Sequence, residues 1–225
     1  MVRAALLALL LAGCPSPNTY TAPRTIPAGT FTLLAAVEGW GVAGGGEALS
    51  LLPTTPTLGV RAGLTDRIDV GARLPNLLSA ALDAKINLLR GQLDISVNPG
   101  LQWYEWTSED EDSVLGTGTV VYLQAPLLVG YNASTALTLM GTIGPAFSFA
   151  GASGGDGSSS DGATFGQLGL GAELRVGPSL SLVPQLTFIG RPFSDGNGTL
   201  FSAGLGFNFG AQASYADLAG APGAP

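Results

Sequence analysis

The chain contains no histidine and only one cysteine, Cys14. Without histidine, most metal sites and most general-base mechanisms lose the residue they rely on. A single cysteine excludes an internal disulfide. Charge is also scarce. Asp, Glu, Lys and Arg together make up 11% of the residues, against roughly a quarter in a soluble domain. No apolar run reaches the ~18 residues that a membrane-crossing helix needs; the longest, Ala4 to Gly13, is too short. Basic residues are outnumbered by acidic ones, and the formal net charge of −7 would repel the phosphates of a nucleic acid.

What is present points elsewhere. Apolar residues make up 46% of a chain of 225 residues, and 34 residues are glycine. That length suits one large all-β domain. A surface so poor in charge faces something other than water. With no helix able to span, the remaining solution in lipid is a closed β-barrel, because every backbone N–H must be paired there.

The first residues combine a basic position, Arg3, with a short apolar stretch from Ala4 to Leu11, followed by Leu11-Ala12-Gly13-Cys14. This stretch resembles a bacterial lipoprotein signal. The resemblance implies cleavage before Cys14 and lipid attachment at Cys14, with the lipoprotein-processing machinery as a partner. Pro15 occupies the next position, so the Asp that marks inner-membrane retention in that family is absent. Residues 15–27, rich in Pro and Thr, read as an extended, flexible tether between lipid and domain.

From Ala28 onward the pattern has period two. In Gln167 to Gly177, Leu168, Leu170, Ala172, Leu174 and Val176 share one face, while Gln167, Gly169, Gly171, Glu173 and Arg175 share the other. Such a strand is apolar on one side and small or charged on the other. The pattern predicts ten strands, near 28–41, 55–64, 67–74, 79–89, 92–106, 115–131, 134–150, 163–176, 179–190 and 199–210. Eight or twelve are the alternatives. Short turns fall at Thr65–Arg67, Leu89–Gly91, Asn132–Ser134 and Gly177–Ser179. Longer connections are expected near Ala43–Pro53, Pro75–Ser79, Thr107–Val114, Gly151–Ala163 and Pro192–Gly198. Short turns at one rim and long loops at the other are the arrangement of an outer-membrane barrel. The turn at Gly63–Gly71 is similar to those of small outer-membrane β-barrel proteins. Residues 76–90 also suit a helix, with Asn76 as its cap. The strand is preferred because Leu82, Ala84, Ile86 and Leu88 alternate with Asp83, Lys85 and Asn87.

The expected organisation is therefore a signal peptide (1–13), a lipidated tether (14–27), a single antiparallel up-and-down transmembrane β-barrel (28–210) and a disordered C-terminal tail (211–225). An even strand count places both termini on the periplasmic side, in the outer membrane of a Gram-negative bacterium. The partners are then the lipid bilayer and the barrel-assembly machinery. Aromatic girdles are expected at both membrane interfaces: Trp40, Trp103, Tyr104 and Trp106 toward the long loops, and Phe31, Tyr131, Phe207 and Phe209 toward the short turns.

The polar face carries Glu38, Arg61, Asp69, Arg73, Asp83, Lys85, Asp94, Glu173 and Arg175. These nine residues are predicted to face the lumen and to pair across it. The narrow lumen of a barrel this size favours a charge-paired plug over an open polar path. Small residues share that face, at Gly59, Gly63, Gly71, Gly169, Gly171, Gly204 and Gly206. They either leave space or let other side chains lie across the lumen.

No enzyme is expected. There is no phosphate-binding loop and no distinguished carboxylate pair. No cofactor and no metal are expected either. The acidic stretch 108–113 reads as a solvated loop, 154–162 as flexible-linker composition, and Asn197-Gly198 as a turn. The function expected is that of a lipid-anchored integral barrel, structural or conducting a small solute. The alternative is a lipid-tethered soluble barrel with an apolar interior that binds a hydrophobic ligand.

Overall fold

The structure is a computed structural model that describes residues 16–43, 52–53, 56–76, 79–108, 116–154, 157–190, 199–215 and 218. Every regular element among them is a strand. They are β1 (Phe31–Ala43), β2 (Leu52–Pro53), β3 (Thr57–Thr65), β4 (Ile68–Asn76), β5 (Ser79–Leu89), β6 (Leu93–Val97), β7 (Gly100–Ser108), β8 (Gly116–Gln124), β9 (Leu127–Asn132), β10 (Leu137–Gly154), β11 (Gly157–Gly177), β12 (Leu180–Gly190) and β13 (Thr199–Gly210). All pairings are antiparallel, and β1 pairs with β13, so the sheet closes on itself.

The closed barrel has ten staves. Strands β6 and β7 are one stave broken at Asn98-Pro99. Strands β8 and β9 are another, broken at Ala125-Pro126. Proline has no N–H to give to a ladder, yet both prolines still accept. The Ala84 N–H donates to the Pro99 carbonyl and the Asn98 N–H to the Pro126 carbonyl, each at 2.9 Å. The lumen-facing parity therefore runs unbroken from Asp94 through Gln102. The two-residue β2 lies against Gly39 and Trp40 of β1.

The staves fall where the alternation placed them, and residues 79–89 form a strand rather than a helix. Leu82 and Leu88 lie half exposed on the outer face, while Asp83, Lys85 and Asn87 are buried inside. Two expected long connections are shorter. Strands β4 and β5 run to Asn76 and from Ser79, and β10 and β11 pair out to Gly154 and Gly157. The Gly- and Ser-rich stretch around 157–162 is thus ladder rather than linker. Each residue there has a register partner across the hairpin, and that pairing outweighs weak local propensity. Residues 109–115 and 191–198 lie outside the described residues.

Burial is inverted relative to a soluble domain. The exposed large side chains include Phe31, Leu33, Leu58, Leu139, Ile143, Leu168, Leu170 and Val176, while the buried set is mostly Asn, Gln, Ser, Thr and charged residues. Phe31, Tyr131 and Phe209 point outward near the short-turn rim, and Phe207 is half-buried. The other expected girdle differs. Trp103 points outward, but Trp40 has the parity of Glu38 and is buried in the lumen, and Tyr104 shares the inward parity of Gln102. Position along a strand does not choose the face; register does. The side chain of Trp106 lies outside the described residues.

The largest departure concerns the two ends. Ser16 to Pro27, read as a flexible tether, runs through the inside of the barrel, with Ser16, Asn18, Thr19, Tyr20, Ala22, Arg24, Thr25 and Ile26 buried. The tail read as disordered folds back as far as Tyr215, which is also buried. Both follow from one cause. A ten-stave interior lined by charges needs occupants that satisfy them, and the chain supplies these from its own ends. Cys14 and residues 219–225 lie outside the described residues.

Candidate functional site

The site is the lumen together with the segment that fills it, here called the strap (residues 16–30). The strap enters at the short-turn rim, where the Gly29 N–H donates to the Gly63 carbonyl and the Gly63 N–H donates to the Thr30 carbonyl, each at 2.9 Å. Thr25 donates from Oγ1 to the Asp66 carbonyl of the first short turn at 2.6 Å. Its extended backbone has no ladder of its own, so the walls supply its hydrogen bonds.

Arg24 anchors the lower end. Its guanidinium grips the Asp94 carboxylate with two bonds, 2.8 and 2.9 Å, and donates to the carbonyls of Gly91 and Ser214. Asn132 donates to Asp94 from the neighbouring stave at 2.8 Å. Arg175 pairs with Glu173 and lies 3.7 Å from the centre of the Tyr215 ring, while Arg24 lies 4.3 Å from it. The tail is thus clamped between two cations facing its π-system. The Tyr215 hydroxyl donates to Glu173 at 3.1 Å. Burial first, and the Glu173 charge second, push that phenol above its ordinary range, so it remains a donor.

The middle layer is a charge network. Arg61 bonds both Asp69 and Asp83, Arg73 approaches Asp83 at 3.6 Å, and Lys85 reaches Asp69 at 3.2 Å. The strap completes this network. Lys85 donates to Thr21 Oγ1 and to the carbonyls of Ala22 and Arg24, at 2.8, 2.8 and 2.9 Å. Arg73 donates to the Asn18 carbonyl at 2.5 Å, and Asp69 accepts from the Ile26 N–H at 3.2 Å.

Tyr20 pins the upper part. Its backbone sits at φ 49°, in the left-handed region that non-glycine residues seldom occupy. Three contacts hold it there. Its N–H donates to Gln185 at 3.0 Å, its carbonyl accepts from Asn208 at 3.0 Å, and its hydroxyl donates to Glu38 at 2.8 Å. Above it, Asn18 bonds Ser202 at 2.8 Å and Thr187 at 2.7 Å, and Ser16 donates to Glu38 at 2.7 Å. Around Tyr20 and Ala22, the wall residues Ala36, Met140 and Val183 form a small apolar island.

The lumen glycines are the mould for this segment. A Cβ on Gly206 would meet the Tyr20 side chain at 2.7 Å, and one on Gly130 would meet Pro23 at 2.9 Å. Gly204 lies so close under the Tyr20 hydroxyl that a side chain has no place there. Gly63, Gly204 and Gly206 therefore make room for the strap, whereas Gly59 and Gly71 make room for the Arg73, Arg61 and Asp83 side chains. A cavity of about 40 Å³ remains beside the strap, room for about one water molecule.

All nine charged positions read from the alternation turn inward. Eight are buried and Arg175 is partly buried. Four of them are cations and five are anions; Arg24 supplies a fifth cation that balances these five acids. Sequence reasoning missed Arg24, Asn18, Tyr20 and Tyr215. One signal was available: four wall cations against five wall acids implies a missing positive partner. Neutral polar side chains, Asn98, Gln102, Tyr122, Gln124 and Gln167, are buried facing inward as well. Among the described residues, no group of acids and thiols could hold a metal ion. A groove of about 750 Å³ on the outer surface is lined mainly by apolar side chains, among them Ala62, Val70, Ala72 and Leu82.

Comparison with known proteins supports the barrel fold. Residues 54–209 match the family model of the outer membrane protein beta-barrel domain. Among solved structures, the attachment invasion locus protein Ail of Yersinia pestis is 15% identical, with 81% of this chain and 99% of that one covered and a TM-score of 0.40. The translocator domain of the autotransporter NalP from Neisseria meningitidis is 14% identical, with 92% and 95% covered and a TM-score of 0.47. Neisserial surface protein A is 11% identical, with 80% and 96% covered and a TM-score of 0.41. No curated protein sequence matches the chain significantly.

Proposed function

The chain belongs to the outer-membrane β-barrel domain family, and from that premise we propose that it is a self-plugged barrel of the bacterial outer membrane. Its role in this reading is structural rather than conductive or catalytic. One observation carries it: the strap threads the lumen and completes its charge balance through Arg24. A conduit needs a continuous polar path, whereas here Lys85, Arg73 and Asp69 spend their hydrogen bonds on the strap itself. Lipid anchoring at Cys14 and passage through the lipoprotein-processing and barrel-assembly machineries belong to the same proposal. The alternative, a soluble barrel holding a hydrophobic ligand, would need an apolar interior and a charged exterior.

Purified protein reconstituted in planar bilayers tests the plug. Wild type is expected to insert without measurable current, and a variant lacking residues 16–26 to conduct. Steady open-channel currents from wild type would overturn the reading. Incorporation of labelled palmitate into wild type, lost in Cys14→Ser, tests the anchor separately.

A further inference from the structure

The strap has a direction, and that direction bears on where the N-terminus lies. Thr25 meets the short turn at Asp66, Arg24 meets the short turn at Gly91, Tyr20 meets Gln185 and Glu38, and Asn18 meets Thr187 and Ser202. Read toward the N-terminus, the contacts pass from the short-turn rim at Thr25 and Arg24 to the upper lumen at Tyr20 and Asn18, and Ser16 stays in that upper region on the Glu38 carboxylate that Tyr20 also bonds. Ser16 is hydrogen-bonded to Glu38, seven residues up β1 from Phe31. Along a tilted strand that is a climb of about 18 Å. Cys14 is two residues from Ser16, a reach of at most about 7 Å. A lipid on Cys14 therefore cannot lie in the periplasmic leaflet while Ser16 is seated on Glu38.

We propose that the strap is a threaded segment: the chain preceding Ser16 leaves the barrel through its long-loop mouth, on the cell exterior, and a lipid carried by Cys14 enters the outer leaflet. The last stave still ends at the short-turn rim, with Gly210 opposite Thr32. This inference rests on the plugged-lumen reading. It changes the consequence of lipidation from tethering on the periplasmic face to display at the surface. Short turns belong to the periplasmic rim and longer connections to the exterior, which fixes the sense of the thread.

The only lysine in the chain, Lys85, is fully buried. A short Gly-Ser insertion between Pro15 and Ser16 carrying one lysine therefore adds the one reachable side-chain amine. Intact cells are treated with a membrane-impermeant amine reagent. Thr135→Lys, on an exposed short turn, serves as the periplasmic control. The same molecules carry Asn18→Cys and Ser202→Cys, whose parent side chains touch at 2.8 Å. Their disulfide, read as a reducible shift on a gel, reports that the strap is seated. We expect the disulfide to form, and the inserted lysine to label on intact cells at least tenfold above the control. Labelling only after permeabilisation, or no labelling, in disulfide-bearing protein overturns the threading and leaves the plug standing. A heat-modifiable barrel that never forms the disulfide overturns both.

Discussion

Arg24 and Asp94 meet side by side inside the barrel, through two hydrogen bonds of 2.8 and 2.9 Å, with neither side chain exposed to solvent. The pair joins a segment without secondary structure to a central stave, across 70 residues of sequence. It is where the strap and the barrel wall are bound most specifically, because a guanidinium fork matches a carboxylate in both distance and plane.

Removing one partner of a buried pair leaves the other charged and unsatisfied. Arg24→Ala should therefore destabilise the folded barrel by about 3 kcal/mol. Asp94 keeps only Asn132 and the Gly91 N–H. The check is the temperature at which the unboiled protein loses its fast-migrating form in SDS. Arg24→Lys should recover part of the loss, since it restores charge but not the fork. An unchanged transition temperature in Arg24→Ala would mean that the strap adds nothing to stability.

The close approach of Gly206 to Tyr20 gives a way to unseat the strap without touching a charge. Gly206→Val should expel Tyr20 while the ten staves remain paired, so heat-modifiability persists and bilayer currents appear. Gly141→Ala is the matched control, because a Cβ there meets nothing within 4 Å. It should be silent in both assays. Adding Tyr20→Ala to Gly206→Val should relieve the clash and reduce the current. Currents equal in Gly141→Ala and Gly206→Val would sink the mould argument.

The outer face makes a third prediction. Leu170 is 65% exposed and lies midway along the paired part of β11, opposite Gly141 and Leu186. Leu170→Arg should cost about 2–4 kcal/mol in lipid, as charges do near the bilayer midplane. Reversible denaturant titration in vesicles measures it. In a water-facing barrel the same change would be near neutral.

The barrel was legible in the sequence because it depends on a local rule. Alternation with period two assigns each side chain to one of two faces, and the nine inward charges follow from that rule alone. Strand β5 shows its strength. A helix was compositionally open over 76–90, but Asp83, Lys85 and Asn87 could be buried together only on a strand. Trp40 marks the limit of the same rule. It was placed in a girdle for its position near a strand end, although its parity with Glu38 already pointed inward.

The strap was not legible, for a different physical reason. Residues 16–27 have no periodicity, and Pro and Thr suit an extended chain whether it lies in water or in a lumen. What holds them are contacts from the turns beside Gly91 and from Lys85, Gln185 and Ser202, brought together only when the sheet closes. The sequence by itself determined a ten-stave barrel with an apolar exterior and a charged interior, because backbone pairing and face alternation are set locally. Only the tertiary structure decided what fills that interior. Five acids and four cations that face the lumen must be satisfied somewhere, and which segment satisfies them depends on how long-range closure positions the walls.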